Sequence, residues 1–291
     1  MKKNLFLVAV AMLICSFAGQ AQLLWKITGK NLKKPSYVFG TYHIAPGTMC
    51  DSIKGLNEAL AGSDVVYGEV VMDDMAAMQQ QMIKYLMAPQ DSALTAIYSP
   101  QDLAVVDTLI KNTLGASVQQ VAMLKPAALS TQISLMLGLK KFPNFDPNTQ
   151  LDATVQKRAK EQNKAIKGLE TVDFQINMLF CSPIQKQAND LLELAKNTDC
   201  AMEMLEILHN AYMSQDLDKL LSLTESTKCG GDPADVETLI YGRNIDWAKY
   251  LKTALPADGS AFIAVGAAHL PGKKGIIELL RKDGFKVTPV K

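Results

Sequence analysis

The chain has 291 residues, of which 48% are hydrophobic and 20% are charged, and its formal net charge is +1. This length and composition are typical of a globular protein with a sizeable core. The sequence has a net charge near zero and neither a Gly-rich phosphate loop nor an Arg-rich patch, which argues against nucleic acid as a partner.

The N-terminal segment has the pattern of a secretory signal peptide. Lys2 and Lys3 precede an apolar run over residues 5–17, and the small residues Gly19 and Ala21 follow. We expect cleavage after Ala21. The apolar run is short for a membrane-spanning helix, and no later segment reaches that length. The sequence therefore predicts an exported protein, periplasmic or extracellular, with no stable membrane insertion after cleavage of residues 1–21.

Four cysteines would remain in the mature chain, namely Cys50, Cys181, Cys200 and Cys229. An even number in an exported protein suits disulfide bonds, and three connectivities are possible. We favour Cys181–Cys200 with Cys50–Cys229, because the first bond would close a short helical hairpin. No Cys-x-x-Cys motif occurs, which argues against a thiol-redox role or a structural zinc ribbon.

Strands are predicted near the start of the mature chain. Residues 22–28 alternate like a strand, and a polar turn leads into a second strand at residues 36–41. A helix at residues 52–62 precedes an apolar strand at residues 65–71. Glu69 lies inside this last strand, where a buried carboxylate is costly unless it is paired or bound to a metal. An edge strand with Glu69 in water is the alternative.

The middle of the chain, from about residue 72 to 235, is predicted to be mainly helical, with one short strand at 165–167 that leads into Glu170. Asp152 lies near the start of a helix, where the helix dipole alone would stabilise it. His209 lies in a helical run without a preceding strand or glycine, so we interpret it as a surface or core histidine.

The last part of the chain returns to strands. A helix from residue 234 onward is followed by strands at 261–265 and 285–289, with a helix at 276–282 between them. Together these elements predict one α/β domain over residues 22–291. Its central mixed sheet would be built from the N- and C-terminal parts, with the helical middle as a large insertion.

Two of the predicted strands end in the same pattern, Gly-x-x-His, at residues 40–43 and 266–269. His43 and His269 are two of the three histidines in the chain. A strand that ends in this way places its histidine at the carboxyl edge of the sheet, where open α/β sheets hold their sites. Either histidine could instead cap a strand or bond a carbonyl. The matched contexts favour a paired metal or acid–base site.

A set of motifs follows a fixed order over almost all of the mature chain. The set comprises residues 25–27 (WKI), 40–43 (GTYH), Glu69, Asp152, 168–171 (GLET) with Gln175, 242–244 (GRN) with Trp247, 265–270 (VGAAHL), Gly272, Gly275, Leu280 and Gly284. This order resembles the TraB/GumN family, whose members include the Tiki metalloproteases that act on Wnt proteins. Gly242 is a departure, because the family usually has an acidic residue before the Arg-Asn pair.

The resemblance implies an erythromycin-esterase-like α/β core with paired histidines and an acidic residue at one edge. Carried over to the matching positions, it implies a metal site formed by His43, Glu69 and His269, with Glu69 also catalytic. It implies that Arg243 stabilises a developing oxyanion and that Asn244 orients Arg243.

This residue set has a consistent chemistry. Two imidazoles and a carboxylate form an open ligand set for a divalent metal such as Zn, Mn or Co, and such a metal lowers the pKa of bound water. Arg243 would stabilise charge on the attacked carbonyl. Glu170 could act as a general base, or it could only pair with a neighbouring Arg or Lys.

Three functions remain open. The first is an exported metal-dependent hydrolase, in particular a peptidase that acts on a peptide or protein. The second is a metal-independent, esterase-like hydrolase in which His43 or His269 is the general base and Glu69 orients it. The third is a catalytically silent protein of the same fold that binds a peptide, a metal or haem. The chain has no His-Glu-x-x-His helix, so a standard zinc-protease motif does not support the first function.

Overall fold

The computed structural model describes residues 22–72, 75–143, 145–146 and 149–291. The predicted signal peptide at residues 1–21 lies outside the described residues. The strands are β1 (Leu24–Thr28), β2 (Ser36–Thr41), β3 (Val65–Gly68), β4 (Ala165–Gly168), β5 (Ala261–Gly266) and β6 (Lys286–Pro289). They form one mixed six-stranded sheet in the order β4-β3-β5-β2-β1-β6. The predicted α/β class and the mixed sheet are therefore confirmed.

The sheet combines a parallel and an antiparallel part. Strands β4, β3, β5 and β2 run parallel, and β1 pairs antiparallel with both β2 and β6. The central strand β5 is buried along almost its whole length, as its continuous apolar sequence Ala-Phe-Ile-Ala-Val requires. Because four neighbouring strands are parallel, their carboxyl ends meet at one edge of the sheet.

Helices account for most of the remaining chain. Their bounds are α1 Met49–Ser52, α2 Leu56–Gly62, α3 Met75–Leu86, α4 Leu94–Ile97, α5 Pro100–Leu114, α6 Pro126–Lys141, α7 Leu151–Glu161, α8 Val172–Phe180, α9 Ile184–Lys196, α10 Thr198–Met213, α11 Leu217–Thr224, α12 Pro233–Val236, α13 Gly242–Asp258 and α14 Ile276–Lys282. Within the described ranges, none of these helices is both long and apolar enough to span a bilayer.

The described residues form one large hydrophobic cluster around the sheet and two smaller clusters among the helices of the middle. The larger cluster holds the sheet strands together with residues of α7, α13 and α14, and it includes Trp25, Phe39, Phe262 and Trp247. A second cluster joins α5, α6 and α9 through residues such as Ile110. The predicted strand at 165–167 is β4, which pairs with β3, so the middle of the chain also contributes to the sheet.

The sequence predicted Glu69 inside a strand, but in the structure it lies outside one. Strand β3 ends at Gly68, and Glu69 is the first residue after it. The apolar run continues through Val70 and Val71, so hydrophobicity alone does not show where the hydrogen-bonded strand β3 ends. The helix predicted at 52–62 is observed mainly as α2: α1 ends at Ser52, and the extended Ile53 and Gly55, with its positive φ of 78°, interrupt helical geometry before α2 begins.

The predicted disulfide pairing is wrong. Cys200 is bonded to Cys229, with a Cα–Cα distance of 5.6 Å, while Cys50 is a buried free thiol and Cys181 an exposed one. The bond joins the first turn of α10 to the turn that precedes α12. Cys181 lies just after α8, and α9 separates it from Cys200 in sequence.

Candidate active site

The carboxyl edge of the parallel strands carries the residues that the sequence singled out. His43 follows β2, Glu69 follows β3, Glu170 follows β4, and His269 follows β5. A pocket of about 290 Å³ opens at this edge. Its lining comprises Thr41, Tyr42, His43, Glu69, Leu208, Tyr212, Leu220, Thr224, Ile240, Arg243, Gly266, Ala267, Ala268 and His269. The two Gly-x-x-His histidines therefore line one pocket, because their strands β2 and β5 are parallel neighbours.

The glycine of the first pattern allows the two histidine loops to approach each other. A Cβ atom added at Gly40 would lie 3.0 Å from both Cα and Cβ of Ala267, in the second loop. Such a contact is too close for an ordinary side chain. Glycine at the end of β2 thus lets the turn after β5 pack directly against it.

Arg243 is the centre of a buried charge cluster. Its Nε and Nη2 donate to the two carboxylate oxygens of Glu170, at 3.1 and 2.7 Å, and Nη2 also donates to Glu69 Oε2 at 2.5 Å. Nη1 donates to the Leu239 carbonyl at 2.9 Å and contacts His269 Nε2 at 3.2 Å. All five N–H donors of the guanidinium therefore have acceptors.

The local helix geometry explains this position of Arg243. Residues Glu237–Tyr241 form a π-helical turn directly before α13, and the Leu239 carbonyl in that turn accepts from Arg243. π-Helical turns widen the helix and are frequent at functional sites. The Trp247 ring, one turn later in α13, lies 4.5 Å from the guanidinium carbon and adds a cation–π contact.

Asn244 fixes the orientation of His269. Asn244 Nδ2 donates to the carbonyls of His269 and Lys274, so its Oδ1 must be the atom that faces His269 Nδ1 at 2.7 Å. Nδ1 therefore carries the proton and donates it. Arg243 is only a donor, so its contact with Nε2 also requires an unprotonated Nε2. The family resemblance implied that Asn244 orients Arg243. In the structure, the Asn244 side chain is bonded to the imidazole of His269.

The protonation states in the cluster follow from burial and charge. Burial lowers the pKa of His269 to about 4, and the negative charge of Glu69 only partly opposes this effect, so the imidazole is neutral at pH 7. Burial alone would raise the pKa of Glu69, but it is lowered overall by the imidazolium form of His269 in acid, by the charge of Arg243 and by the Gly266 N–H bond. With His269 neutral at pH 7, Arg243 and the Gly266 N–H still favour the carboxylate. Glu69 is therefore ionised.

The buried cluster of Arg243, Glu69, Glu170 and His269 has an excess of negative charge. Its two carboxylates face one guanidinium and a neutral imidazole, which gives a formal charge of −1. Glu69 Oε1 lies 3.8 Å from His269 Nε2 and accepts from Gly266 N at 2.9 Å. A cation bound next to these two atoms would balance the charge of the cluster.

His43 is held at the mouth of the pocket by Asp152. Its Nδ1 lies 3.3 Å from Asp152 Oδ2, and Thr41 Oγ1 donates to Asp152 Oδ1 at 2.6 Å. The adjacent carboxylate of Asp152 raises the pKa of His43 to about 9. The side chain of His43 is 75% exposed, so solvent screens this effect. Because Nδ1 faces Asp152, Nε2 is the ring nitrogen left for other ligands.

Glu170 lies behind Arg243. Besides its two bonds to Arg243, it accepts from Trp247 Nε1 at 3.2 Å and from Gln175 Nε2 at 3.1 Å, and its side chain is only 6% exposed. Glu170 is not among the pocket-lining residues. These bonds favour a role in positioning Arg243 over the role of general base that the sequence suggested.

The donors fit a divalent metal in their chemistry. His269 Nε2 is an unprotonated imidazole nitrogen, and Glu69 is an ionised carboxylate. His43 would bind a metal through Nε2 in competition with the proton that its raised pKa favours. As they stand in the described part of the chain, no three His, Cys, Asp or Glu side chains form a group that could hold a metal ion. Arg243 Nη1 contacts His269 Nε2, so a metal could bind this nitrogen only after Arg243 moves away from it.

Two residues of the site were not assigned a role from the sequence alone. Asp152 was explained by the helix dipole, yet it lies in the first turn of α7 beside His43. Gln175 in α8 donates to both Glu69 and Glu170, at 3.2 and 3.1 Å. Both were part of the family resemblance, which is the signal that indicated them. The interpretation of His209 is consistent with the structure: its ring stacks on Phe142 and does not line the pocket.

Fold and site together define an α/β protein with two histidines and an Arg–Glu cluster at the carboxyl edge of a parallel sheet. A family model described as the TraB/PrgY/gumN family matches residues 23–289. The chain therefore belongs to the TraB/PrgY/gumN family, as its motifs predicted. No curated protein and no solved structure matches the chain.

Proposed function

We propose that the mature protein is an exported metal-dependent hydrolase, in particular a peptidase with an erythromycin-esterase-like core, and that His43, Glu69 and His269 bind the metal. One observation carries the proposal. In each Gly-x-x-His pattern the histidine Nδ1 faces an oxygen: His269 is hydrogen-bonded to Asn244 Oδ1 at 2.7 Å, and His43 lies at an ion-pair distance of 3.3 Å from Asp152 Oδ2. Metal-binding histidines usually donate Nδ1–H to such a partner, which leaves Nε2 for the metal.

The charge of the site supports the same proposal. The Arg243 cluster has a formal charge of −1, and Glu69 and His269 Nε2 face each other across 3.8 Å. When bound, a divalent metal would supply a water of lowered pKa and a Lewis acid for the scissile carbonyl. Export of the protein agrees with the Cys200–Cys229 disulfide, since disulfides persist in oxidising compartments.

The protein groups have separate tasks in this proposal. Asn244 keeps the lone pair of His269 on Nε2. Asp152 keeps the ring of His43 oriented. Arg243 holds Glu69 through Nη2, and its Nη1, once released from His269, would donate to negative charge that develops on the attacked carbonyl.

Metal-independent hydrolysis is the second candidate, and one observation favours it. His43 and Asp152 form a dyad in which the carboxylate raises the pKa of the imidazole, the arrangement that orients a general base. In this candidate the neutral form of His43, which is favoured only above its raised pKa, would take a proton from water at Nε2, and Arg243 would stabilise the oxyanion. The two hydrolases differ in their need for metal.

A binding protein without catalysis remains the third possibility, but the pocket disfavours haem as its ligand. The pocket volume is about 290 Å³. Pockets for small molecules and cofactors span roughly 300–1,000 Å³, and haem requires a large one. A single side chain of a peptide fits this volume better.

A cleavage assay with a peptide library separates these functions. The purified mature protein is assayed as isolated, after chelation and dialysis, and after addition of Zn, Mn or Co. The proposal predicts cleavage that is lost on chelation and restored by one of the metals. His269→Ala should remove cleavage under all conditions, whereas a matched substitution of His209, outside the pocket, should preserve it.

Each contrary outcome has a clear meaning. Cleavage that survives chelation and dialysis would replace the metal-dependent proposal with the second candidate. Peptide binding without cleavage in any metal, with binding unaffected by His43→Ala, would contradict both hydrolase candidates.

A further inference from the structure

The pocket at the candidate site has two chemically different walls. One wall carries the polar groups His43, Glu69, Arg243 and His269. The other wall, which we call the apolar wall, is formed by Leu208, Tyr212, Leu220 and Ile240. Tyr42 also lines the pocket, and its buried hydroxyl has no hydrogen-bond partner among the described residues. In the described part of the chain, every His, Glu or Arg side chain that lines the pocket belongs to the polar wall.

The apolar wall is built by elements of the helical middle. Helix α10 supplies Leu208 and Tyr212, α11 supplies Leu220, and the π-helical turn supplies Ile240. The Tyr212 hydroxyl donates to the Gly40 carbonyl at 2.9 Å, so its polar atom is already used and only its ring is left to contact a ligand. Leu208 and Ile240 are half-buried, which leaves part of each side chain open to a ligand.

The hydrogen-bonding groups of Arg243 and Glu69 in the polar wall are already engaged within the protein. All five N–H donors of Arg243 have acceptors, so an incoming carboxylate would have to displace an existing bond. Both oxygens of Glu69 are likewise engaged, by Arg243 and by Gly266 N. A charged side chain placed against Leu208, Leu220 and Ile240 would lose its water to groups that carry no charge, which is unfavourable.

We propose that the apolar wall is the subsite for one uncharged, apolar side chain of the substrate, adjacent to the bond that is cleaved. The inference rests on the proposed peptidase function and adds its specificity. A volume of about 290 Å³ suits one large aliphatic or aromatic side chain. Leu208 and Ile240, from two different elements, are the specificity-determining residues.

Peptides that differ in one residue test the inference by binding. The probes are Ac-Ala-Ala-X-Ala-Ala-NH2 with Leu, Phe, Asp or Lys at X, and binding to the mature protein is followed by saturation-transfer NMR. Leu and Phe peptides should bind at least about 10-fold more tightly than Asp and Lys peptides, as expected for burial of one large apolar side chain. Hydrolysis of any peptide would be visible in the same spectra.

Two variants assign the preference to the apolar wall. Leu208→Glu should weaken the Leu peptide and strengthen the Lys peptide by about 10-fold each, because it adds an unpaired carboxylate to the wall. Ile207→Glu is the matched control, since Ile207 precedes Leu208 in α10, is 37% exposed and is not a pocket-lining residue. Ile240→Ala, which only enlarges the pocket, should shift the preference from Leu towards Phe.

The outcomes separate the inference from the proposed function. Equal binding of the four wild-type peptides, or the same changes in Ile207→Glu as in Leu208→Glu, would overturn the inference even if peptides are cleaved. A preference for Leu and Phe that Leu208→Glu reverses would support the subsite. If no peptide is then cleaved in any metal, the subsite stands and the peptidase proposal fails.

Discussion

His269 Nδ1 donates to Asn244 Oδ1 over 2.7 Å, and this bond decides which imidazole nitrogen faces Glu69. Asn244 is fully buried, and its Nδ2 is held by the carbonyls of His269 and Lys274. The amide therefore cannot rotate without losing two further bonds. This bond gives His269 the tautomer that a metal ligand requires, and it does so without a charged partner.

Substitutions of Asn244 should show the importance of the Oδ1 acceptor. Asn244→Leu removes the acceptor, whereas Asn244→Asp keeps it, and both lose the two Nδ2 bonds. We expect kcat/KM of Asn244→Leu to be about 10- to 100-fold below that of Asn244→Asp, the usual effect of losing such a partner. The 15N chemical shifts of His269 should show mixed tautomers only in the Leu variant. Equal kcat/KM values and equal shifts would contradict this role.

Asp152→Asn should reduce activity without unfolding the protein. The asparagine keeps the shape of Asp152 but removes the charge that raises the pKa of His43. We expect a loss of about 10- to 100-fold in kcat/KM and a lower pKa for His43. NMR titration of His43 and steady-state kinetics measure the two effects. A variant with wild-type kinetics would exclude Asp152 from the site.

Acid should destabilise the chelated protein through His269. Its folded pKa of about 4 lies below the ordinary value of 6.5, so between these values the unfolded state binds a proton that the folded state does not. The free energy of unfolding therefore falls as the pH decreases from 6.5 to 4, by about 1.4 kcal/mol per pH unit for one group. His269→Gln should have a shallower slope in urea denaturation curves over this range.

His43 provides the control for this pH dependence because its sign is opposite. Its pKa is raised in the folded state, so its contribution to stability is complete below the unfolded pKa and is lost as the pH rises through the folded value. Its exposure makes this contribution small. His43→Gln should therefore leave the slope between pH 4 and 6.5 unchanged. Equal slopes for wild type and His269→Gln would show that His269 is not buried as a neutral imidazole.

The disulfide should stabilise the mature protein. Replacing both Cys200 and Cys229 with serine removes the only disulfide of the described residues and should lower the free energy of unfolding by about 2–4 kcal/mol. Cys181→Ser, at an exposed free thiol, should change it by less than about 0.5 kcal/mol. Urea denaturation measures both values. A disulfide-linked Cys181 in peptide mapping would contradict the connectivity.

The positions of the strands and of the paired histidines were predictable from local sequence. Strand β2 has the predicted bounds, and β5 extends the predicted strand by one residue, because apolar runs that end in glycine mark both. Parallel pairing of these two strands then brings His43 and His269 to one edge. Local patterns and one topological rule are sufficient for this result.

Contacts between distant segments could not be read from local patterns. Asp152 meets His43 only because α7 packs beside the sheet, and nothing in the sequence around either residue specifies that packing. Arg243 and Asn244 are adjacent in α13, where neighbours point about 100° apart, so they bond different partners. The cysteine pairing likewise depends on the path of the helices, which spacing does not determine.

Titration of the chelated mature protein with Co²⁺, followed by visible absorption and calorimetry, tests the metal site most directly. We predict one Co²⁺ per chain in the wild type and loss of binding in His43→Ala, Glu69→Gln and His269→Ala. His209→Ala serves as the control, since His209 stacks on Phe142 and does not line the pocket. Wild-type affinity in either His43→Ala or His269→Ala would contradict the proposal that the two Gly-x-x-His histidines share one metal.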